Sequence, residues 1–357
     1  DEGFFRESQE NWETGPWGVV QTEDEIGASA PAIGAALAGA RSATATSGPG
    51  FDLMVEGLGW AGMNEVPVVV TYYQRGGPST GLPTRGSQSD LLSAVFASHG
   101  EYPRLVLASG DHEEAFQDAV DAFNYAERYQ TPVIHLLDKF TANTVATMPL
   151  PDVERARIDR GVWAPKGLRD YKRFQLNGPI SPRAPLGQYA MWYTGDEHDE
   201  YGHITEDPVM RRKMYEKRMA KLKLAEEEIP EERRFAVYGP SNPEVLLVGW
   251  GFVKGAALRA LERLKEEGIE AAYFHIRMFL PFPRGALRRY ATAAKVVVAV
   301  EHSYLSQAAL LASMFAGVAI ERHILKYTGR PIYVGELVEG VRRVLKGEAR
   351  VVLDHGH

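Results

Sequence analysis

The stretch Val20–Gly50, VQTEDEIGASAPAIGAALAGARSATATSGPG, decides the fold. An apolar run, Trp17-Gly18-Val19-Val20, leads into it and reads as the end of a buried strand. Three acids follow at once: Glu23, Asp24 and Glu25. Residues 26–40 are then almost all Ala, Gly and Ser, a helix-like composition apart from Pro31, which fits a first turn or a kink. Residues 43–47 are strand-like and end in Gly48-Pro49-Gly50. A carboxylate cluster therefore sits where a strand hands over to a helix. The free N–H groups and partial positive charge of a helix start hold an anionic group in place, which aims one acid at a ligand.

Working outward, the 357 residues have room for about two domains. The 45% hydrophobic and 24% charged content is that of an ordinary globular enzyme. The net charge of -7 argues against nucleic acid or an anionic membrane as the main partner. The chain has no cysteine, which excludes disulfides, a cysteine nucleophile and any iron–sulfur cluster held by thiolates of this chain. That fits a reducing, cytoplasmic setting. No apolar run approaches the ~20 residues that span a bilayer. The chain opens Asp1-Glu2-Gly3 without Met, so a further segment is expected upstream.

Along the chain, Phe4, Phe5 and Trp12 read as anchors of a polar start. Residues 65–71 form a β-branched strand that runs into the Gly-, Pro- and Arg-rich loop 72–85. Ligands of α/β sheets bind at the C-terminal ends of strands, and such a loop holds a small anion. A helix over 89–97, a strand over 104–108, an amphipathic helix over 111–128 and a strand over 131–137 follow. This alternation implies an α/β fold with a parallel, doubly wound sheet. Residues 148–238 are rich in Pro, Arg and charge, with an exposed helix expected over 209–232. A second α/β unit has strands over 244–248, 271–276, 295–300 and 332–336, and helices over 256–267 and 307–315. The division is residues 1–160, a connecting segment 161–238 containing loop 193–208, and residues 239–357.

Each candidate site residue also has an ordinary reading. Glu25 is at least a capping acid at a helix start. Arg75 is otherwise a surface arginine, but it follows a buried strand directly and sits among glycines, where a guanidinium grips a carboxylate by two parallel hydrogen bonds. Loop 195–208 carries Asp196, Glu197, His198, Asp199, Glu200 and His203, yet their spacing matches no metal motif. It reads better as a loop against a partner chain or over the active site, with His198 and His203 as possible pocket contacts. The turn Gly249–Gly255 departs from G-x-G-x-x-G, and the next strand ends in His275 and Arg277 rather than a ribose-binding acid. A tight strand–helix turn is the better reading there. Glu301-His302 reads as structural or interfacial.

The strings QTEDEI, TSGPGFDLMVEGLGWAGMNEVPVVV, YQRGGPSTGLPTR, HGEYPRLVLASGD, AFNYAERYQTPVIHLLDK and GDEHDEYGHITEDP together resemble the α part of archaeal-type 2-oxoacid:ferredoxin oxidoreductases, which depend on thiamine diphosphate. The resemblance covers nearly the whole chain. It implies a thiamine-diphosphate pyrimidine-binding domain lacking its first strand, followed by a transketolase C-terminal-like α/β domain. Glu25, nine residues before Gly34, would hydrogen-bond the aminopyrimidine ring. Gly48 would contact the cofactor. Arg75 and Thr84 would bind the 2-oxoacid, with Arg85 as a second candidate. The family uses coenzyme A as acyl acceptor and ferredoxin as electron acceptor. It places Mg2+, the [4Fe-4S] cluster and the diphosphate-binding domain on a β subunit, and often carries a γ-type domain upstream. A Tyr-Pro-Ile-Thr-Pro motif is expected just before the first residue. Three other readings are weighed against this one: a non-oxidative thiamine-diphosphate enzyme, a non-catalytic scaffold subunit, and a nicotinamide dehydrogenase, which the glycine turn disfavours.

Overall fold

The computed structural model describes Glu7 and residues 17–356; Phe4, Phe5 and Trp12 lie outside the described residues. Residues 17–22 have no helix or strand, and Trp17, Val19 and Val20 are exposed, so the expected strand end is absent there. Four residues interrupted by Gly18 offer little side-chain surface to a sheet. The described structure begins instead with helix α1 (Glu25–Leu37), capped by Asp24, whose carboxylate accepts the Gly27 N–H at 2.6 Å. Pro31 lies inside this helix, beyond the first turn, where it has no N–H to offer the Gly27 carbonyl.

The first sheet takes β1 (Ala43–Ser47), β2 (Val69–Gln74), β3 (Leu105–Ala108) and β4 (Val133–Asp138) in parallel, in the order β1-β2-β4-β3. Its helices are α1, α2 (Gly50–Met63), α3 (Leu91–Phe96), α4 (His112–Tyr129) and the short α5 (Lys139–Asn143). The period-2 rule explains why helices cover both faces. Val70 and Tyr72 of β2 face one core with Met54 and Leu58 of α2, while Val69 faces another with Ala122 and Ala126 of α4.

The charged segment contributes α6 (Pro208–Glu228), α7 (Glu231–Arg234) and β5 (Phe235–Tyr238). Helix α6 was expected to be exposed, but Met214, Lys217, Arg218, Lys221 and Ala225 are buried along one face. The reason is charge pairing. The buried Glu65 carboxylate takes both Lys217 and Lys221, the second at 2.7 Å, so cations stand where apolar residues would mark an inward face.

The second sheet holds β6 (Val245–Trp250), β7 (Ala271–Ile276), β9 (Val296–Glu301), β10 (Arg322–Leu325) and β11 (Arg350–Val352), all parallel, with β5 antiparallel on the edge beside β7. Helices α8 (Val253–Glu266) and α11 (Val334–Leu345) cover one face; α9 (Arg284–Ala293) and α10 (Gln307–Leu311) cover the other. The strand expected over 332–336 is instead the entry and first turn of α11, whose start is capped by Glu336 on the Tyr333 N–H at 3.0 Å. Strand β8 (Met278–Leu280) leaves the second unit and pairs antiparallel with β3 of the first sheet. One continuous core then joins both units, from Ile134 and Leu136 to Val248 and Phe274. Between them Glu114 accepts from the Gly110 N–H at 2.7 Å and pairs with His275 at 3.0 Å.

Candidate functional site

The C-terminal ends of β1 and β2 lie side by side, with Ser47 opposite Tyr73. The turn Gly48-Pro49-Gly50 links β1 to α2, and Arg75 is the first residue beyond β2. Gly48 has φ +61, and a Cβ built on it would lie 2.6 Å from the Arg75 Nε. A glycine is therefore required twice over, for the backbone and for the approach of the guanidinium. The Gly48 carbonyl accepts the Tyr72 hydroxyl at 3.0 Å, and Tyr72 is itself held by stacking on Phe51 with ring centroids 4.5 Å apart.

Glu25 reaches the other end of the same turn. As the first residue of α1 it sits on the positive end of that helix, and it is half-buried. A Cβ on Gly50 would strike both the Glu25 carboxylate and the Thr46 hydroxyl. The Thr46 hydroxyl donates to Glu25 across a long 3.5 Å. Among the described residues Glu25 has no ion-pair partner. Two glycines thus hold a carboxylate and a guanidinium on the two ends of one tight turn. The cradle would be filled by any side chain at Gly48 or Gly50. A carboxylate with open lone pairs also suits the protonated ring nitrogen of an aminopyrimidine, so these residues fit thiamine diphosphate.

Arg75 is equally uncommitted. Its Nη1 donates to the Thr80 carbonyl at 3.3 Å, while its buried Nε has no hydrogen-bond partner among the described residues. It therefore keeps donors for an incoming carboxylate. Asp90 stands nearby, and burial pushes its carboxyl up to about 6 against the pull of the Tyr72 hydroxyl and the Arg75 amide, with Asp52 adding to the rise. Gln74, fully buried at the end of β2, has neither amide atom partnered among the described residues.

Loop 76–85 folds back on itself, with the Gly76 N–H on the Arg85 carbonyl at 3.0 Å and the Leu82 N–H on the Gly76 carbonyl at 2.7 Å. Its neck sends the two arginines to different neighbours. Arg75 lies on Gly48. Arg85 packs on Gly329, where a Cβ would come within 2.8 Å of the arginine's own Cβ. Thr84 is exposed and lines a cavity with Arg85, not with Arg75. His198 is buried, its ring tilted against that of Phe174 with centroids 4.0 Å apart, and its Nδ1 lies 2.9 Å from the Asp199 carbonyl. His203 is exposed beside Trp192. Both belong to the packing of loop 193–208.

Glu301 and His302 close the second sheet against the first. Trp250 Nε1–H and Ser303 Oγ–H donate to Glu301 at 2.7 and 2.8 Å. The His302 amide donates to Gln88 at 2.9 Å, and its ring lies 4.7 Å from Phe140. Tyr72, Gln74, Asp90 and Gly50 were not singled out from sequence. Only Gly50 carried a signal, as the second glycine of a Gly-Pro-Gly turn.

A doubly wound α/β unit with a glycine-cradled carboxylate and arginine at its strand ends, joined to a second α/β unit, defines the class: a ligand-binding α/β protein of the thiamine-diphosphate type. Residues 5–217 match the family described as pyruvate flavodoxin/ferredoxin oxidoreductase, thiamine diphosphate-binding. Residues 243–346 match the pyruvate:ferredoxin oxidoreductase core domain II. The chain belongs to the pyruvate flavodoxin/ferredoxin oxidoreductase family. It is 58% identical over 345 residues to the 2-oxoacid:ferredoxin oxidoreductase 1 subunit alpha of Aeropyrum pernix, covering 95% of this chain and 54% of that one. It is 34% identical to the 2-oxoglutarate synthase subunit KorA of Methanothermobacter marburgensis, covering 79% of this chain and 75% of that one. A solved 2-oxoglutarate:ferredoxin oxidoreductase from Magnetococcus marinus, with 2-oxoglutarate, coenzyme A and succinyl-CoA bound, superposes with a TM-score of 0.86 at 34% identity. That match covers 91% of this chain and 57% of the other. The chain spans about half the length of the Aeropyrum relative.

Proposed function

We propose that this chain is the α component of a 2-oxoacid:ferredoxin oxidoreductase, which converts a 2-oxoacid and coenzyme A to acyl-CoA and CO2 and passes two electrons to ferredoxin. The observation that carries the reading is the Gly48-Pro49-Gly50 turn with Arg75 over one glycine and Glu25 over the other. The identity to named α subunits supports it.

When bound, thiamine diphosphate supplies the nucleophile and the electron sink that decarboxylation of a 2-oxoacid needs. The residues of this chain do the rest of the work assigned here. Glu25 accepts a hydrogen bond from the aminopyrimidine ring and keeps a proton within reach of that ring. Arg75 holds the substrate carboxylate by its free guanidinium edge, which fixes the keto carbon relative to the cofactor. Gly48 lets the guanidinium approach. Thr84, on the loop that Arg75 begins, lines the Arg85 cavity instead and takes no part in holding the 2-oxoacid in this reading. Arg75 rather than Arg85 takes the 2-oxoacid, because only Arg75 adjoins the turn.

With no cysteine the chain offers no thiolate for a cluster. We assign the [4Fe-4S] cluster, Mg2+ and the diphosphate-binding domain to a β subunit, and a γ-type domain to the remaining length of the α chain. The test is reconstitution of the longer α chain with its partner. CoA-dependent reduction of ferredoxin by pyruvate, 2-oxobutyrate or 2-oxoglutarate is expected. Decarboxylation without acceptor reduction would place the protein among non-oxidative enzymes. Failure of the assembled complex to bind thiamine diphosphate would leave it a scaffold.

A further inference from the structure

A second cavity, of about 160 Å3, lies where the two sheets meet. Its walls come from three segments that each follow a strand's C-terminal end. Thr84 and Arg85 lie on the loop after β2. Lys139, Asn143 and Thr144 follow β4. Arg330 lies on the loop after β10. Strand ends are where α/β sheets bind ligands, and here both sheets present theirs to one space.

The cavity is lined by three cations and no carboxylate. Among the described residues, none of Arg85, Lys139 and Arg330 is in an ion pair or side-chain hydrogen bond, whereas three other cations of the second unit are paired. Lys254 holds Asp111 and Glu114, Arg277 holds Asp118 at 2.7 Å, and Lys326 holds Glu336. The carboxylate next in sequence, Asp138, is turned inward onto the Thr141 and Phe252 amides, both at 2.9 Å, and does not neutralise Lys139. In a chain of net charge -7, three uncompensated cations around one small space are a local reversal of sign.

The site is also built. Gly329 has φ +76 and admits Arg85, and Gly86 lies flat on the Phe140 ring, so the arginine's backbone and the loop of Arg330 are held together by close packing. The volume equals about five water molecules at ~30 Å3 each, room for one or two phosphate groups. A flat carboxylate needs only one guanidinium. Three cations with Thr and Asn donors suit a group with more charge and more acceptor oxygens.

We propose that the Arg85–Lys139–Arg330 cavity binds the diphosphate group of an organic ligand, separately from the 2-oxoacid carboxylate at Arg75. Only the identity of the carrier rests on the function proposed above: with the diphosphate of thiamine diphosphate assigned to the β subunit, the diphosphate ester left for this cavity is coenzyme A.

The test uses the assembled enzyme with the longer α chain, as wild type, Arg330→Ala, Lys139→Ala, the double variant and the charge-keeping Arg330→Lys. Inorganic pyrophosphate binding is measured by calorimetry, and the apparent KM by steady-state assay for coenzyme A, thiamine diphosphate and the 2-oxoacid. Each lost charge should weaken pyrophosphate binding roughly tenfold, with Arg330→Lys close to wild type. A matching rise in KM for coenzyme A, with the 2-oxoacid KM unchanged, assigns the cavity to the acyl acceptor. A rise confined to thiamine diphosphate overturns the assignment to the acyl acceptor. Equal pyrophosphate binding in wild type and double variant overturns the proposal, as does lost pyrophosphate binding in an active enzyme with neither KM moved. If the wild-type complex has no 2-oxoacid activity, the proposed function fails, and the pyrophosphate difference still decides the cavity.

Discussion

The Arg75 guanidinium lies directly over Gly48, with Nε 2.6 Å from where a Cβ would stand. The contact joins the end of one strand to the turn after its neighbour, so the position of the arginine depends on a residue that carries no chemistry. Gly48→Ala should displace the guanidinium and strain a backbone held at φ +61. A charge-assisted hydrogen bond contributes about 1.5–3 kcal/mol. The KM for the 2-oxoacid should therefore rise about tenfold or more, with the complex still assembled. Steady-state kinetics of the variant checks this; an unchanged KM would remove Arg75 from the substrate site.

Glu25 offers the complementary test. Glu25→Gln keeps the shape and loses the proton acceptor, so turnover should fall roughly 10²–10⁴-fold while thiamine diphosphate binding and subunit assembly persist. Gly50→Ala should copy much of this loss, because its Cβ would strike the Glu25 carboxylate. Near-normal turnover in Glu25→Gln would sink the assignment.

How far the sequence reveals this site depends on the kind of interaction. An acidic cluster at the start of a helix is legible, because a helix start is a local event, but the sequence does not say that Asp24 rather than Glu25 makes the cap. Arg75 is legible because it ends a β-branched run. The meeting of Arg75 with Gly48 is not, since strand pairing between β1 and β2 sets it. Nor is the inward face of α6, where Lys217, Arg218 and Lys221 occupy positions that a hydrophobic pattern would leave as solvent-facing. The strands β5, β8, β10 and β11 are three or four residues long, too short for an alternation to show; β5 is an edge of the second sheet, and β8 is the edge that ties the second unit to the first sheet.

The end of β9, where Glu301 is buried, should carry a pH signature. Burial pushes the Glu301 carboxyl up to about 7 from an ordinary 4.5, although Trp250 and Ser303 donate to it. A raised acid pKa means the folded state keeps its proton while the unfolded chain releases it. The stability from this group is full below about 4.5 and is lost as pH rises through about 7. Glu301→Gln removes that loss and keeps an acceptor for Trp250. The difference in unfolding free energy between variant and wild type should shift in the variant's favour by on the order of 3 kcal/mol from about pH 4.5 to about pH 8. Urea unfolding at both ends measures it; a pH-independent difference would show Glu301 ionised throughout.

The buried cluster at Glu65 should be the most fragile point of the connecting segment. Glu65 is fully buried and pairs with Lys217 and Lys221; its carbonyl also takes Arg173 at 2.7 Å. Burial already lowers the Lys221 ammonium to about 7 despite the pull of Glu65. Glu65→Gln leaves Lys217 and Lys221 buried against a neutral amide, and breaking such a pair costs about 3–5 kcal/mol. The sign of the pH effect follows from the lysines. With their folded pKa values depressed further, the folded state binds fewer protons than the unfolded chain over a wider range, so the variant gains stability as pH rises. Its deficit against wild type should be largest near about pH 6 and shrink toward about pH 9. Denaturant unfolding at the two pH values, with the double variant Glu65→Gln, Lys217→Met as a control that removes one stranded charge, tests the argument. A deficit that is small and flat with pH would mean that these cations do not depend on Glu65.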